Sequence, residues 1–243
     1  MEVHLPKPLH GWREFAGEVG IIVLGVLIAL SAEQGVTWLH DRAAASEVRA
    51  NIFDEAQFNF NFVHARMAQE PCISRRIQEL QTILERAGYG RLHPVPDWVG
   101  RPDNVPIFSE RWKAATASGR SNLFTLQEQN KLDDLFGNFE GLKQHGAAEQ
   151  QAWLKLRLLE RWSGPLSLEA KLVFGEALAQ AKYEDSQIRH TSYWINRSAE
   201  DLSIRAHTQG LINSVCLPIN TPANVALQKL ARNRSRGDAA EAD

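Results

Sequence analysis

The sequence predicts an all-α protein: an N-terminal transmembrane helix continuing into a multi-helix bundle. Three observations predict it. The run "GEVGIIVLGVLIALSAEQG" is uncharged from Val19 to Ala32 and lies between Trp12 and Trp38. Most later segments repeat their apolar residues at three and four, the spacing of a helix face. No segment carries convincing strand alternation, and there is no internal repeat.

The uncharged run alone reaches only about 21 Å as a helix, short of a hydrocarbon core of roughly 30 Å. The tryptophans extend it. On one straight helix Trp12 and Trp38 stand about 39 Å apart, close to the spacing of the two interfacial zones where tryptophan prefers to sit. Glu18 and Glu33 then lie at the rim of the hydrocarbon, where a carboxylate costs far less than at the centre. A cleaved signal peptide has an acceptable site at Ala29-Leu30-Ser31, but Glu2, Glu14 and Glu18 spoil its basic start. A buried core helix of a soluble cytosolic protein is the third reading, and it leaves the flanking tryptophans without a reason. The anchor is therefore assigned to residues 12–38, after a short tail at 1–11. Lys7 and Arg13 before it nearly balance Arg42 and Arg49 after it, and His4 and His10 tip the N-terminus towards the cytoplasm. Gly25 and Ala29 have the small-residue spacing that lets helices approach closely, so with Glu18 they offer a contact for a homo-oligomer or a membrane-protein partner.

Residues 39–231 are expected to form the helical domain. Val48, Ile52, Ala56, Phe60, Val63 and Met67 mark a helix continuing from the span and ending near Pro71. Ile73, Ile77, Leu80 and Leu84 stripe the next helix, with Arg75, Arg76, Glu79 and Glu85 off the stripe and Gly88 at its end. "YGRLHPVPDWVGRPDNVPI", at 89–107, holds Pro94, Pro96, Pro102 and Pro106 and must be a turning loop. Ser109 is placed to cap a short helix ending at Ser118. Thr125 and Glu128 form a capping box for a helix striped by Leu132, Leu135, Phe139 and Leu142. A separate helix from about Ala147 to Trp162 turns Ala152, Leu156 and Leu159 inward. Ser167 caps a long helix towards His207, and Thr221 with Pro222 opens a last helix through Ala231. Residues 232–243, with little to bury, are expected to be a disordered tail.

Composition excludes more than it selects. The 243 residues carry a net charge of -2, which lacks the basic excess of a nucleic-acid protein, and no nucleic-acid partner is expected. Arg232, Arg234 and Arg236 are too few and interrupted to change that. The eight histidines fall at no zinc spacing, and no nucleophile elbow or phosphate loop is present, so no catalytic residue, cofactor or metal is expected. Asn196-Arg197-Ser198 matches a glycosylation triplet by chance frequency. Trp112, Trp153, Trp162 and Trp194 fit core or interface positions better than a pocket. His93, Asp97 and Asp103 share the proline-rich loop and are the one place where a ligand or acid–base site can be imagined. Cys72 and Cys216 can join the C-terminal end of the domain to its start, which makes sense only in an oxidising compartment; two buried free thiols are the alternative.

"LPKPLHGWREFAGEVGIIVLGVLIALSAEQ" resembles the opening of an uncharacterised bacterial family of single-pass envelope proteins, and "PCISRRIQEL", "RWKAATASGR" and "NSVCLP" are similar to later parts of it. The resemblance implies a bacterial inner-membrane anchor and a mainly helical extracytoplasmic domain. It brings no activity and no catalytic residue. The expected role is protein or envelope-component binding by a periplasmic domain, with a ligand-binding or enzymatic domain that uses the 89–107 loop as a lid as the alternative.

Overall fold

The computed structural model describes residues 11–88, 90–104, 106–207 and 213–240. Its six α-helices are α1 (Trp12–Met67), α2 (Glu70–Ala87), α3 (Glu110–Ala117), α4 (Leu126–Leu156), α5 (Leu168–Asp201) and α6 (Ala223–Ala240), with no strand among the described residues. The chain is all-α, and its long apolar N-terminal helix continues into a helix bundle. The expected tail at 1–11 lies outside the described residues except for Gly11. The chain divides into two compact units, residues 1–50 and 51–243.

In the first unit α1 is bare among the described residues. Every described side chain from Phe15 to Ala43 is exposed, among them Ile21 at 74% and Ile28 at 61%. An all-round apolar helix with bare flanks is unstable in water and well satisfied in lipid, since its backbone groups are already paired internally.

In the second unit α1 turns one face inward. Ile52, Ala56, Phe60 and Val63 are buried, as their spacing requires. The helix ends at Met67, and Pro71 sits in the first turn of α2, where its missing N–H costs nothing. The stripe Ile73, Ile77, Leu80 and Leu84 packs into one core with Trp153 and Leu156 of α4 and Phe174, Ala177 and Ala181 of α5. A second aromatic group joins Trp112 to Phe136, stacked with centroids 5.9 Å apart, and Phe136 to Phe139 at 5.7 Å.

Thr125 and Glu128 form the capping box of α4, and the Ser167 hydroxyl accepts from Ala170 N at the start of α5. Four expectations need correction. The helices expected on either side of Gly146 are one, because α4 runs unbroken through Gly137, Gly141 and Gly146; each glycine costs about 1 kcal/mol against alanine, and burial of ten side chains along that helix outweighs the penalty. The α5 helix stops at Asp201, not near His207. The α6 helix passes Ala231 and continues to Ala240, so residues 232–240 are helical rather than a disordered tail; no proline interrupts them, and alanine and arginine are strong helix formers. Residues 241–243 lie outside the described residues. Finally, Ser109 occupies the N-cap position of α3 without making the capping bond. Its hydroxyl donates to Glu140. The free amides of that helix are taken by Glu55 of α1, whose carboxylate accepts from Arg111 N at 3.1 Å and Trp112 N at 3.3 Å. A carboxylate at a helix N-terminus serves both hydrogen bonding and the helix dipole.

Candidate functional site

The proline-rich loop is fastened like a strap by contacts from several elements. Arg76 of α2, expected off the stripe, is 1% exposed. Its guanidinium donates to the carbonyls of Trp98, Val99 and Leu217 and, through Nε, to Glu79 at 2.8 Å. Burial pushes its pKa down, against the pull of the Glu79 carboxylate. Glu160 accepts from the amides of Val99 and Gly100, and the amides of Asp97 and Trp98 both donate to Ile219 O. Buried Leu92, Trp98, Val99 and Ile107 supply the apolar side of the strap. Tyr89 and Val105 fall outside the described residues.

At Gly100 the strap requires glycine. Its φ is +68°, and a Cβ there would lie 2.5 Å from Ser214 O. Gly100→Ala is expected to lower stability by about 1–3 kcal/mol, read as a shift of the urea midpoint of the full chain in micelles; an unchanged midpoint shows that the strap is free to move away.

The three residues singled out on the strap lie at its surface. His93, Asp97 and Asp103 are each exposed. Asp103 is engaged by Gln69, which donates to Oδ2 at 3.2 Å and accepts from its amide at 3.2 Å. Asp97 is tied down through its main chain. No group of three or more His, Cys, Asp or Glu suited to a metal ion occurs among the described residues.

Cys72 and Cys216 stand at disulfide distance, with sulfurs 2.09 Å and Cα atoms 4.8 Å apart. The pair joins the first turn of α2 to the 3₁₀ turn Ser214–Cys216, beside the Arg76 contact with Leu217. Of the tryptophans, Trp112 and Trp153 are buried, Trp162 packs on Phe174 at 5.4 Å, and Trp194 is 47% exposed against Tyr193.

Two features were not read from the sequence. One is a cleft of about 500 Å³ between α2 and α5, lined by Leu84, Gly175, Leu178 and Ala179 with Lys171, Lys182, Gln81 and Glu85 around them. Its volume lies in the range of small-ligand sites. No sequence signal marks it, because its two sides come from helices about a hundred residues apart. The other is a buried ionic cluster. Arg66 donates through Nη2 to Glu149 Oε1 at 2.7 Å and to Asp185 Oδ1 at 3.0 Å, with all three side chains at most 4% exposed. Burial raises the pKa of Glu149, and the Arg66 charge opposes that rise. The one available clue was Arg66 itself, which falls on the inward face between Val63 and Met67.

These observations define an all-helical protein with one N-terminal apolar helix long enough to cross a membrane and a cysteine pair at disulfide distance. No family model, curated protein or solved structure matches the chain.

Proposed function

We propose that the chain is a single-pass protein of the bacterial inner membrane, N-terminus in the cytoplasm, whose periplasmic helical domain binds another protein or an envelope component. The observation that carries this reading is the bare apolar face of α1, exposed on all sides from Phe15 to Ala43. Lipid is the solvent that such a helix needs. The cysteine pair supports placing the helical domain in an oxidising compartment. The α2–α5 cleft, lined by apolar residues together with Lys171 and Lys182, is a place where a partner can bind. Within the anchor, Glu18, Gly25, Ala29 and Glu33 are spaced by seven, four and four residues. They therefore share one side of the helix, where a second copy or another membrane protein can pack closely.

Topology tests the reading. Fusions at the C-terminus, one to a reporter active only outside the cytoplasm and one to a reporter active only inside, are expected to report outside. A signal from the inside reporter alone removes both the periplasmic placement and the envelope partner. Release of the protein by a carbonate wash removes the anchor.

A further inference from the structure

Five charged side chains from four helices meet where α1 gives way to α2. Arg66 of α1 holds Glu149 of α4 and Asp185 of α5. Arg189 of α5 places Nε 3.5 Å from Asp185 Oδ2 and Nη1 3.2 Å from Oε1 of Glu70, the first residue of α2. Ser74 Oγ donates to that same Glu70 oxygen at 2.7 Å. Three carboxylates therefore face two guanidiniums. With every group ionised the cluster carries one unbalanced negative charge, and such a charge is costly out of water. One proton removes it.

The three carboxylates differ in burial. Glu149 and Asp185 are buried, whereas Glu70 is half-buried at the rim and can exchange a proton with solvent. Glu70 Oε2 is shielded and has no hydrogen-bond partner; a proton there turns an unpaired acceptor into a donor beside Asp185. Two nitrogens of Arg66, Nε and Nη1, are also unpartnered, so the closed arrangement holds its cation with part of its donor capacity unused. We propose that Glu70 is the proton site of a pH-operated latch that fastens the α1–α2 corner to α5. Protonated, the cluster is neutral and shut. Deprotonated, its excess charge loosens the corner at Met67–Glu70.

Burial pushes the Glu70 pKa up, the Ser74 bond opposes this, and the Asp185 charge adds to the rise. A carboxyl whose folded pKa is raised stabilises the fold below its ordinary range and loses that contribution as pH climbs through the raised value. The latch is thus shut in acid and slack in base. Two histidines lie near the corner. His145 pairs with Glu184 at 2.7 Å on the neighbouring turns of α4 and α5, with Gln180 also on Glu184. His64 lies on the exposed side of α1, its ring centroid 6.3 Å from that of Phe60. Gln69 and Asp103, beside the corner, are engaged with each other.

Amide exchange of the full chain in detergent micelles at pH 5 and pH 8, corrected for the intrinsic pH dependence, tests the latch at residues 66–77. Wild type is expected to open measurably more readily at pH 8 than at pH 5, the direction that a raised Glu70 pKa gives. Glu70→Gln, neutral at every pH, should stay shut at both. Glu140→Gln, at the α3 contact, should keep the wild-type ratio. A Glu70→Gln protein that keeps that ratio overturns the proposal, as does a wild type without any ratio. If Glu149→Gln abolishes the ratio and Glu70→Gln does not, the proton belongs to Glu149 and the assignment is wrong. If doubling the variant with His64→Gln or His145→Gln is needed to flatten the response, a histidine is the sensor.

Discussion

Arg66→Ala is expected to destabilise the helical domain by about 3–5 kcal/mol, among the largest effects of any single substitution in the chain. The reason is what the change leaves behind. Glu149 and Asp185 are 1% and 3% exposed, and without the guanidinium Glu149 loses its paired cation while Asp185 keeps only Arg189 at 3.5 Å. Removing one partner of a buried pair costs much more than the pair itself contributes. Replacing Arg66, Glu149 and Asp185 together by methionine or leucine of similar volume should therefore be tolerated far better, because no charge is then stranded. Urea denaturation of both variants in micelles separates the two cases. An Arg66→Ala loss below about 1 kcal/mol would mean that the carboxyls neutralise themselves by taking up protons, and the ionic character of the cluster would have to be abandoned. The triple variant also isolates the rim pair, since Arg189 retains Glu70 at 3.2 Å when Asp185 is gone.

The contrast between Ile73 and Arg76 shows how much of the fold can be read in advance. The α2 stripe Ile73–Ile77–Leu80–Leu84 is local: its periodicity is written within one helix, and all four residues are buried where the pattern puts them. The capping box at Thr125 and Glu128 and the cap at Ser167 are local too, since each needs only residues three apart. Arg76 is on the same helix, off the stripe. It is buried because carbonyls 22, 23 and 141 residues away converge on it, and no window of sequence contains them. Arg66 repeats the lesson with partners 83 and 119 residues away. Ser109 looks like a helix cap on sequence grounds, yet Glu55 reaches the amides and frees the serine for Glu140. Glycines misled in the opposite direction at Gly146, where tertiary burial overrides a local penalty. In the loop, proline content correctly indicated turns. The contacts that fasten it could not be read there, because they come from Arg76, Glu160 and Ile219, which lie elsewhere in the chain.

Loss of the Cys72–Cys216 link is expected to lower stability by as much as about 4–5 kcal/mol, the loop-closure entropy of the 144 residues it spans. Residual structure in the unfolded chain reduces that figure, but a second effect acts with it. Cys216 precedes Leu217, whose carbonyl is one of the three that accept hydrogen bonds from the buried Arg76, and Arg75 donates to Cys216 O at 3.3 Å. Freeing this segment exposes the Arg76 guanidinium to the loss of a partner and unfastens the strap at Trp98, which packs on Leu217. The midpoint of urea unfolding should therefore fall on adding a dithiol reductant and fall equally in a Cys72→Ser, Cys216→Ser double variant, while reductant should do nothing further to the double variant. An equal midpoint with and without reductant would show that the sulfurs are not joined in the folded chain. Blocking free thiols in intact cells before lysis carries the argument from stability to location. Cysteines protected from alkylation until reduced mean that the bond forms where the protein resides, which requires an oxidising compartment. Two thiols alkylated at once would place the helical domain on the reducing side, and the periplasmic reading would fall with the bond.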